Sequence, residues 1–261
     1  MRSNNVRPKK NLGQHFLTDL KIAENIADTV DACPAIPVLE VGPGMGVLTQ
    51  FLLKKDRALK VVEIDAESVG YLKSNFPGLS SNLIEGDFLK MNLNELFQNN
   101  PFVLTGNYPY NISSQIFFKM LENKDIIPCC TGMVQREVAR RITAGPGNKD
   151  YGILTVFIQL WYDTEYLFTV DENVFNPPPK VKSAVIRLTR NNRASLECNY
   201  DLFRKIVKGT FAQRRKMLRN SIRSVVGTDY ELPPAAPWLE KRPEQLSIQD
   251  FIGLTMELEN R

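Results

Sequence analysis

Between residues 38 and 121, short apolar runs alternate with stretches of helical spacing, and this alternation constrains the chain more than any other feature. Residues 38–41, 59–64, 83–84 and 102–105 read as strands, and residues 47–53, 66–75 and 112–121 as helices. The strands are apolar almost throughout rather than at every second position. Strands of that kind belong in a parallel sheet covered on both faces by its crossover helices. A helix with apolar Leu20, Ile22, Ala23, Ile26, Ala27 and Val30 precedes them. Met133-Val134 ends a fifth strand, and a helix at 137–142 follows. Two runs, 154–162 and 166–170, come next with no helix read between them, and then an alternating strand at 181–188. An antiparallel hairpin closing the sheet accounts for that ending.

The polar stretch 190–199 reads as a linker. Beyond it the spacing is helical: Phe203, Val207 and Phe211 share one face, and Leu218, Ile222 and Val225 another. A proline-rich break covers 233–237, and Ser247 with Asp250 resembles a capping pair before a last helix. The expected fold is therefore α/β, a Rossmann-like sheet over residues 1–190, with a small all-helical domain over 191–261.

The net charge is only +4, but it is unevenly spread. Residues 202–228 carry eight Lys or Arg and no acid, and Arg2, Arg7, Lys9 and Lys10 precede the first acid at Asp19. A face built for solubility mixes signs, so a one-signed stretch points to a polyanion partner. Cys33, Cys129, Cys130 and Cys198 form no C-x-x-C pair, so no disulfide framework or zinc site is expected, and a reducing compartment fits. A single histidine, His15, excludes histidine-based triads and multi-histidine metal sites. No run approaches membrane-spanning length, and the N-terminus is polar, so a soluble cytoplasmic protein is expected.

Glu40-x-Gly42-x-Gly44-x-Gly46 follows the strand ending at Val41 and opens a helix. Glycines there let backbone approach a ligand without Cβ interference. The dinucleotide pattern G-x-G-x-x-G fails because Val47 stands at its sixth position. The acid-x-G-x-G-x-G form suits an S-adenosylmethionine site instead. Glu63 ends the next strand, close to the ~20-residue spacing expected of a carboxylate that grips ribose hydroxyls. Asp65 competes with it; strand alternation favours Glu63. Asp87 follows the third strand, where it can accept from an adenine amine.

Asn107-Tyr108-Pro109-Tyr110 follows the fourth strand, at the sheet edge where open α/β folds bind ligands. An exocyclic adenine amine is a poor nucleophile because its lone pair is delocalised into the ring. Acceptors on its two hydrogens, here the Asn107 side-chain oxygen and the Tyr108 carbonyl, hold the nitrogen closer to tetrahedral. Pro109 fixes the turn. Tyr110 can stack on the base, a contact worth roughly 1–3 kcal/mol. A sulfonium donor loses charge in the transition state, so positioning should dominate the chemistry.

Over nearly its whole length the sequence resembles the small-subunit ribosomal RNA adenine N6,N6-dimethyltransferases. The likeness rests on Asn11-Leu12-Gly13-Gln14-His15-Phe16-Leu17, residues 40–49, Val62-Glu63-Ile64-Asp65, Gly86-Asp87 and residues 106–113. It continues through Gln135-Arg136-Glu137-Val138-Ala139, Phe175-Asn176-Pro177-Pro178-Pro179-Lys180-Val181-Lys182-Ser183 and Gln213-Arg214-Arg215-Lys216. The resemblance implies a class I methyltransferase domain and a helical domain that binds rRNA through Arg214, Arg215, Lys216 and Arg219. It implies methyl transfer from S-adenosylmethionine to two adjacent adenosines near the 3′ end of 16S rRNA in the small ribosomal subunit. By that match His15, Leu17, Gly42, Gly44, Glu63, Asp87 and Asn107 contact the cofactor, and Phe175 joins Tyr110 in sandwiching the target adenine. Neither metal nor membrane is implied, and a monomer is expected. Many relatives carry Asn where His15 stands and Leu where Tyr108 stands. The competing readings are a large-subunit rRNA adenine dimethylase, a mainly non-catalytic ribosome-assembly factor, and a DNA adenine methylase, whose second proline is absent here.

Overall fold

The computed structural model describes residues 6–9, 12–79, 81–227 and 237–259. They form two compact units, one of Met1–Ala139 with Asp163–Arg190, the other of Arg140–Tyr162 with Asn191–Arg261. The expected division at residue 190 marks one crossing between them. Residues 140–162, read from sequence as part of the sheet domain, instead belong with the helical tail.

Among the described residues the first unit holds nine strands: β1 (Phe16–Leu17), β2 (Val38–Val41), β3 (Leu59–Glu63), β4 (Leu83–Glu85), β5 (Val103–Thr105), β6 (Cys129–Gln135), β7 (Tyr162–Val170), β8 (Phe175–Asn176) and β9 (Ser183–Arg190). Seven of them make one sheet in the order β4-β3-β2-β5-β6-β9-β7. The pairs β2–β3, β2–β5, β3–β4 and β5–β6 are parallel, and β9 runs antiparallel to β6. All four residues of β2 are buried, as strands covered on both faces require. The chain leaves β2 toward β3 on one side and returns later to β5 on the other. That reversal of direction opens a crevice above the carboxyl ends of β2 and β5, where the glycine turn and Asn107 lie. β1 and β8, too short to read from sequence, pair with each other in a separate ribbon. The helix Leu20–Asp28 starts at Asp19, whose carboxylate accepts from the N–H groups of Lys21 and Ile22, and buries Ala23, Ile26 and Ala27.

Gly132 shows how closely β5 and β6 approach. A Cβ there would lie 2.4 Å from the Gly106 carbonyl and 2.7 Å from the Tyr108 ring. The glycine lets the chain beyond β5 keep its register on β6, with Tyr108 N–H donating to the Met133 carbonyl at 3.0 Å.

Two sequence expectations are corrected. Residues 154–162 do not form a hairpin strand; Ile153–Gln159 is a helix. Apolar periodicity cannot separate a buried helix from a buried strand in so short a run. The decisive local feature is Thr155, whose hydroxyl accepts the Gly152 N–H at 3.0 Å and closes the first turn. Secondly, a disulfide joins Cys33 to Cys129, their Cα atoms 5.8 Å apart across 96 residues of chain. Spacing along the chain carries no sign of a pair brought together only by folding.

In the second unit, the helix Tyr200–Ala212 buries Phe203, Val207 and Phe211 as its spacing predicts. The last helix, Ile248–Glu259, begins on a reciprocal cap: Ser247 N–H donates to Asp250 at 2.9 Å, and Asp250 N–H to the Ser247 hydroxyl at 3.0 Å. Of the break at 233–237, residues 233–236 lie outside the described residues. Among the described residues no helix is long and apolar enough to cross a membrane, and no cluster of three or more His, Cys, Asp or Glu could hold a metal ion.

Candidate active site

A cavity of about 300 Å³ opens above the carboxyl ends of β2, β3 and β5. Its walls bring together residues 12–17, the glycine turn, Glu63, Asp87 and Asn107–Tyr110. Among the described residues its lining holds three acids, Glu40, Glu63 and Asp87, one histidine, and neither lysine nor arginine. Such a lining suits a cationic ligand with hydroxyl and amine donors and is ill suited to a pyrophosphate.

Gly42 and Gly44 adopt φ of +69° and +55°, the left-handed region that glycine enters without cost. At Gly44 the freed backbone N–H points at Glu63 Oε2, 2.9 Å away, and a Cβ would meet the Phe16 ring at 3.0 Å. Glu63 Oε1 accepts from the N–H groups of Ile64 and Asp65, each at 2.9 Å. Burial pushes the Glu63 carboxyl up from its usual range while these three N–H bonds pull it back. A carboxylate offers about four lone-pair sites, so one remains for a ligand hydroxyl. Glu40 is the more deeply buried acid; burial raises its carboxyl to about 8, against the single bond from the Thr49 hydroxyl at 2.7 Å. Asp87 accepts from Leu89 N–H at 3.0 Å through Oδ1.

The competing carboxylate, Asp65, is already committed. It is buried, caps the helix Ala66–Asn75, and receives Lys9 Nζ, the Gln14 amide and the Ser68 hydroxyl. These bonds tie the N-terminal segment to the turn after β3, so residues 12–17 become a wall of the cavity. Lys9 is described; Arg2, Lys10 and Asn11 lie outside the described residues.

Asn107 bridges to Met133 and lines the cavity. Its amide nitrogen donates to the His15 carbonyl at 3.3 Å. A carbonyl only accepts, so this bond fixes which end of the amide is nitrogen and leaves Oδ1 as the acceptor on offer. Tyr108 points the other way: its buried hydroxyl donates to the Thr131 carbonyl at 3.0 Å, and its ring meets Phe117 edge-on. Its side chain is thus engaged away from the cavity. Tyr110 lines the cavity, with its hydroxyl bonded to Ser183.

Phe175 does not line the cavity. It stands opposite Leu17 in the β1–β8 pairing, and both belong to the buried apolar cluster, where Phe175 is 4% exposed. The ring that stacks on Tyr110 is His15, with centroids 5.3 Å apart. Leu17 and Phe16 sit at the cavity wall. Sequence reasoning missed Ser183 and Lys9 as contributors; both lie in matched or basic segments, but their partners, Tyr110 and Asp65, are 73 and 56 residues away along the chain.

In the second unit the four basic residues singled out from sequence divide. Arg214 is held by Glu244 and by the carbonyl of Lys149, each at 2.5 Å. Arg219 pairs with Glu240 at 2.8 Å, both exposed. Arg215 and Lys216 are exposed and make no ion pair among the described residues.

The family model for ribosomal RNA adenine dimethylase matches residues 5–234. The chain is 68% identical to the ribosomal RNA small subunit methyltransferase A of Bacteroides thetaiotaomicron over 254 residues, 97% of this chain and 95% of that one. A dimethyladenosine transferase from Plasmodium falciparum superposes with a TM-score of 0.77 at 26% identity, over 94% of this chain and 98% of that one. The 23S rRNA methyltransferase ErmE superposes with a TM-score of 0.65 at 30% identity, over 92% and 99% of the two chains. The chain that carries this glycine turn, the crevice over β2 and β5 and the Asn-Tyr-Pro-Tyr segment thus belongs to the ribosomal RNA adenine dimethylase family.

Proposed function

We propose that the protein transfers methyl groups from S-adenosylmethionine to N6 of two adjacent adenosines near the 3′ end of 16S rRNA, acting on the small ribosomal subunit in the cytoplasm. The observation that carries the reading is the oriented amide of Asn107, which offers Oδ1 in the same cavity as Glu63, Asp87 and the glycine turn. The acid-rich, lysine-free lining fits a cofactor that bears a sulfonium and an ammonium group. Glu63 would take a ribose hydroxyl, Asp87 the cofactor's adenine amine, and the backbone at Gly42 and Gly44 the close approach. When bound, this cofactor supplies an electrophilic methyl group.

The chain's own part is to hold the target amine. Asn107 Oδ1 and the Tyr108 carbonyl accept its two hydrogens and direct the nitrogen lone pair into the cavity. Pro109 fixes the angle between these acceptors, and Tyr110 supports the base. The amine proton leaves to water after transfer, so no general base is required. Positioning of this kind supplies most of the rate in a reaction that needs little charge stabilisation.

The small-subunit substrate is favoured over the large-subunit one by the 68% identity to a protein named for the small subunit, against 30% for the 23S rRNA methyltransferase. Incorporation of labelled methyl groups into unmethylated small subunits, followed by mapping of the modified nucleotides, tests the assignment. Labelling confined to large-subunit RNA overturns it. Asn107→Ala is expected to abolish transfer and leave subunit binding intact; loss of both together contradicts the role given to its amide.

A further inference from the structure

His15 is the chain's single histidine, and two contacts fix its ring. Nδ1 donates to the Pro177 carbonyl at 2.8 Å, since the carbonyl has no proton to give. The imidazole stacks on Tyr110 with the planes 28° apart. Tyr110 is itself tied at its far end, where the hydroxyl meets that of Ser183, a fully buried residue at the start of β9. The tyrosine ring is therefore held by a bond at its tip and by a second ring on one face.

We infer that His15 is a positioning residue for the target base: its imidazole covers one face of Tyr110 and sets the plane in which the opposite face receives the adenine. This inference rests on the functional reading above. Two rings 5.3 Å apart leave no room for a base between them, so the adenine either extends the stack or displaces the imidazole. The hydrogen bond to Pro177 opposes displacement. Phe175, turned into the core, supplies no alternative ring on that side. The His15 backbone meanwhile serves the other half of the reaction, because its carbonyl orients the Asn107 amide. One residue thus couples the orientation of the acceptor amide to that of the base platform.

The two arrangements differ in the sign of their response to losing the ring. For a positioning residue, His15→Ala lowers kcat on unmethylated small subunits by about fivefold to tenfold, the scale of one lost aromatic pair. Because His15 also lines the cofactor cavity, the Kd of S-adenosylmethionine, measured by calorimetry, rises too, but by less than kcat falls, and measurable binding reports that the variant is folded. His15→Phe keeps a ring without the N–H and recovers at least half of the lost kcat. The inference is overturned if His15→Ala is as fast as or faster than the parent, if its defect lies in cofactor Kd rather than kcat, or if His15→Phe is no better than His15→Ala. An unaltered protein that transfers no methyl group to the subunits overturns the functional reading as well; an active parent with an unimpaired His15→Ala overturns the inference alone.

Discussion

Glu40 is the residue whose ionisation most departs from the ordinary. It is 1% exposed, and its carboxyl titrates near 8 in the folded protein, against 4.5 as a free side chain. Between these values the folded state keeps a proton that the unfolded chain has given up, so the stability it contributes falls as pH rises through that window. Glu40→Gln should therefore gain on the parent between pH 5 and pH 9 by a few kcal/mol at most, read from urea denaturation at each pH. Parallel pH profiles for the two proteins would show that the Glu40 proton is not retained. The acid at the head of the glycine motif was legible from sequence; its protonation was not, because that depends on how completely Thr49 and the sheet exclude water. Strand alternation pointed to Glu63 rather than Asp65, and of the two it is Glu63 that lines the cavity. That Asp65 answers to Lys9 and Gln14 was not, since those partners lie more than fifty residues away. The place beside Tyr110 came to Phe175 from the resemblance alone, and its side chain is buried in the apolar cluster, a setting that a two-residue strand does not disclose in sequence.

The N-terminal segment is the element that most affects how the cavity closes. Its attachment runs through Asp65, whose carboxyl is lowered from its usual range by the bonds from Lys9, Gln14 and Ser68, against the opposing effect of burial. Asp65→Asn should loosen this wall and raise the dissociation rate of S-adenosylmethionine, with faster hydrogen exchange at residues 12–17. Unchanged exchange there would mean the segment is held by the β1–β8 pairing alone. In the second unit, Ser247→Ala should cost about 1 kcal/mol, the usual worth of an N-cap, in thermal or urea unfolding. That cap was readable because its two residues are three apart. The helix Ile153–Gln159 was not, because a helix buried all round shows no polar face.

For the whole molecule, the functional reading proposed above gives the charge on the second unit a role in subunit binding. Among the described residues Arg215 and Lys216 pair with no acid, whereas Arg214 is occupied with Glu244 and Lys149. Replacing Arg215 and Lys216 with Ala should weaken subunit binding and flatten its dependence on salt, because phosphate contacts release counterions. An unchanged salt slope would remove these side chains from the interface. Arg214→Ala should instead cost about 1 kcal/mol of stability, after discounting for its partial exposure. The basic run identified the region; only the ion pairs separate its members. The assignment of residues 140–162 to the tail has a further consequence. Phe157 meets Phe203, and Tyr151 meets Phe211, across the long stretch of chain that builds β7 and β9. The tail is thus not a cassette. A chimera spliced at residue 190 would separate these rings from the neighbours they evolved with, so specificity swaps between relatives must transplant both stretches at once.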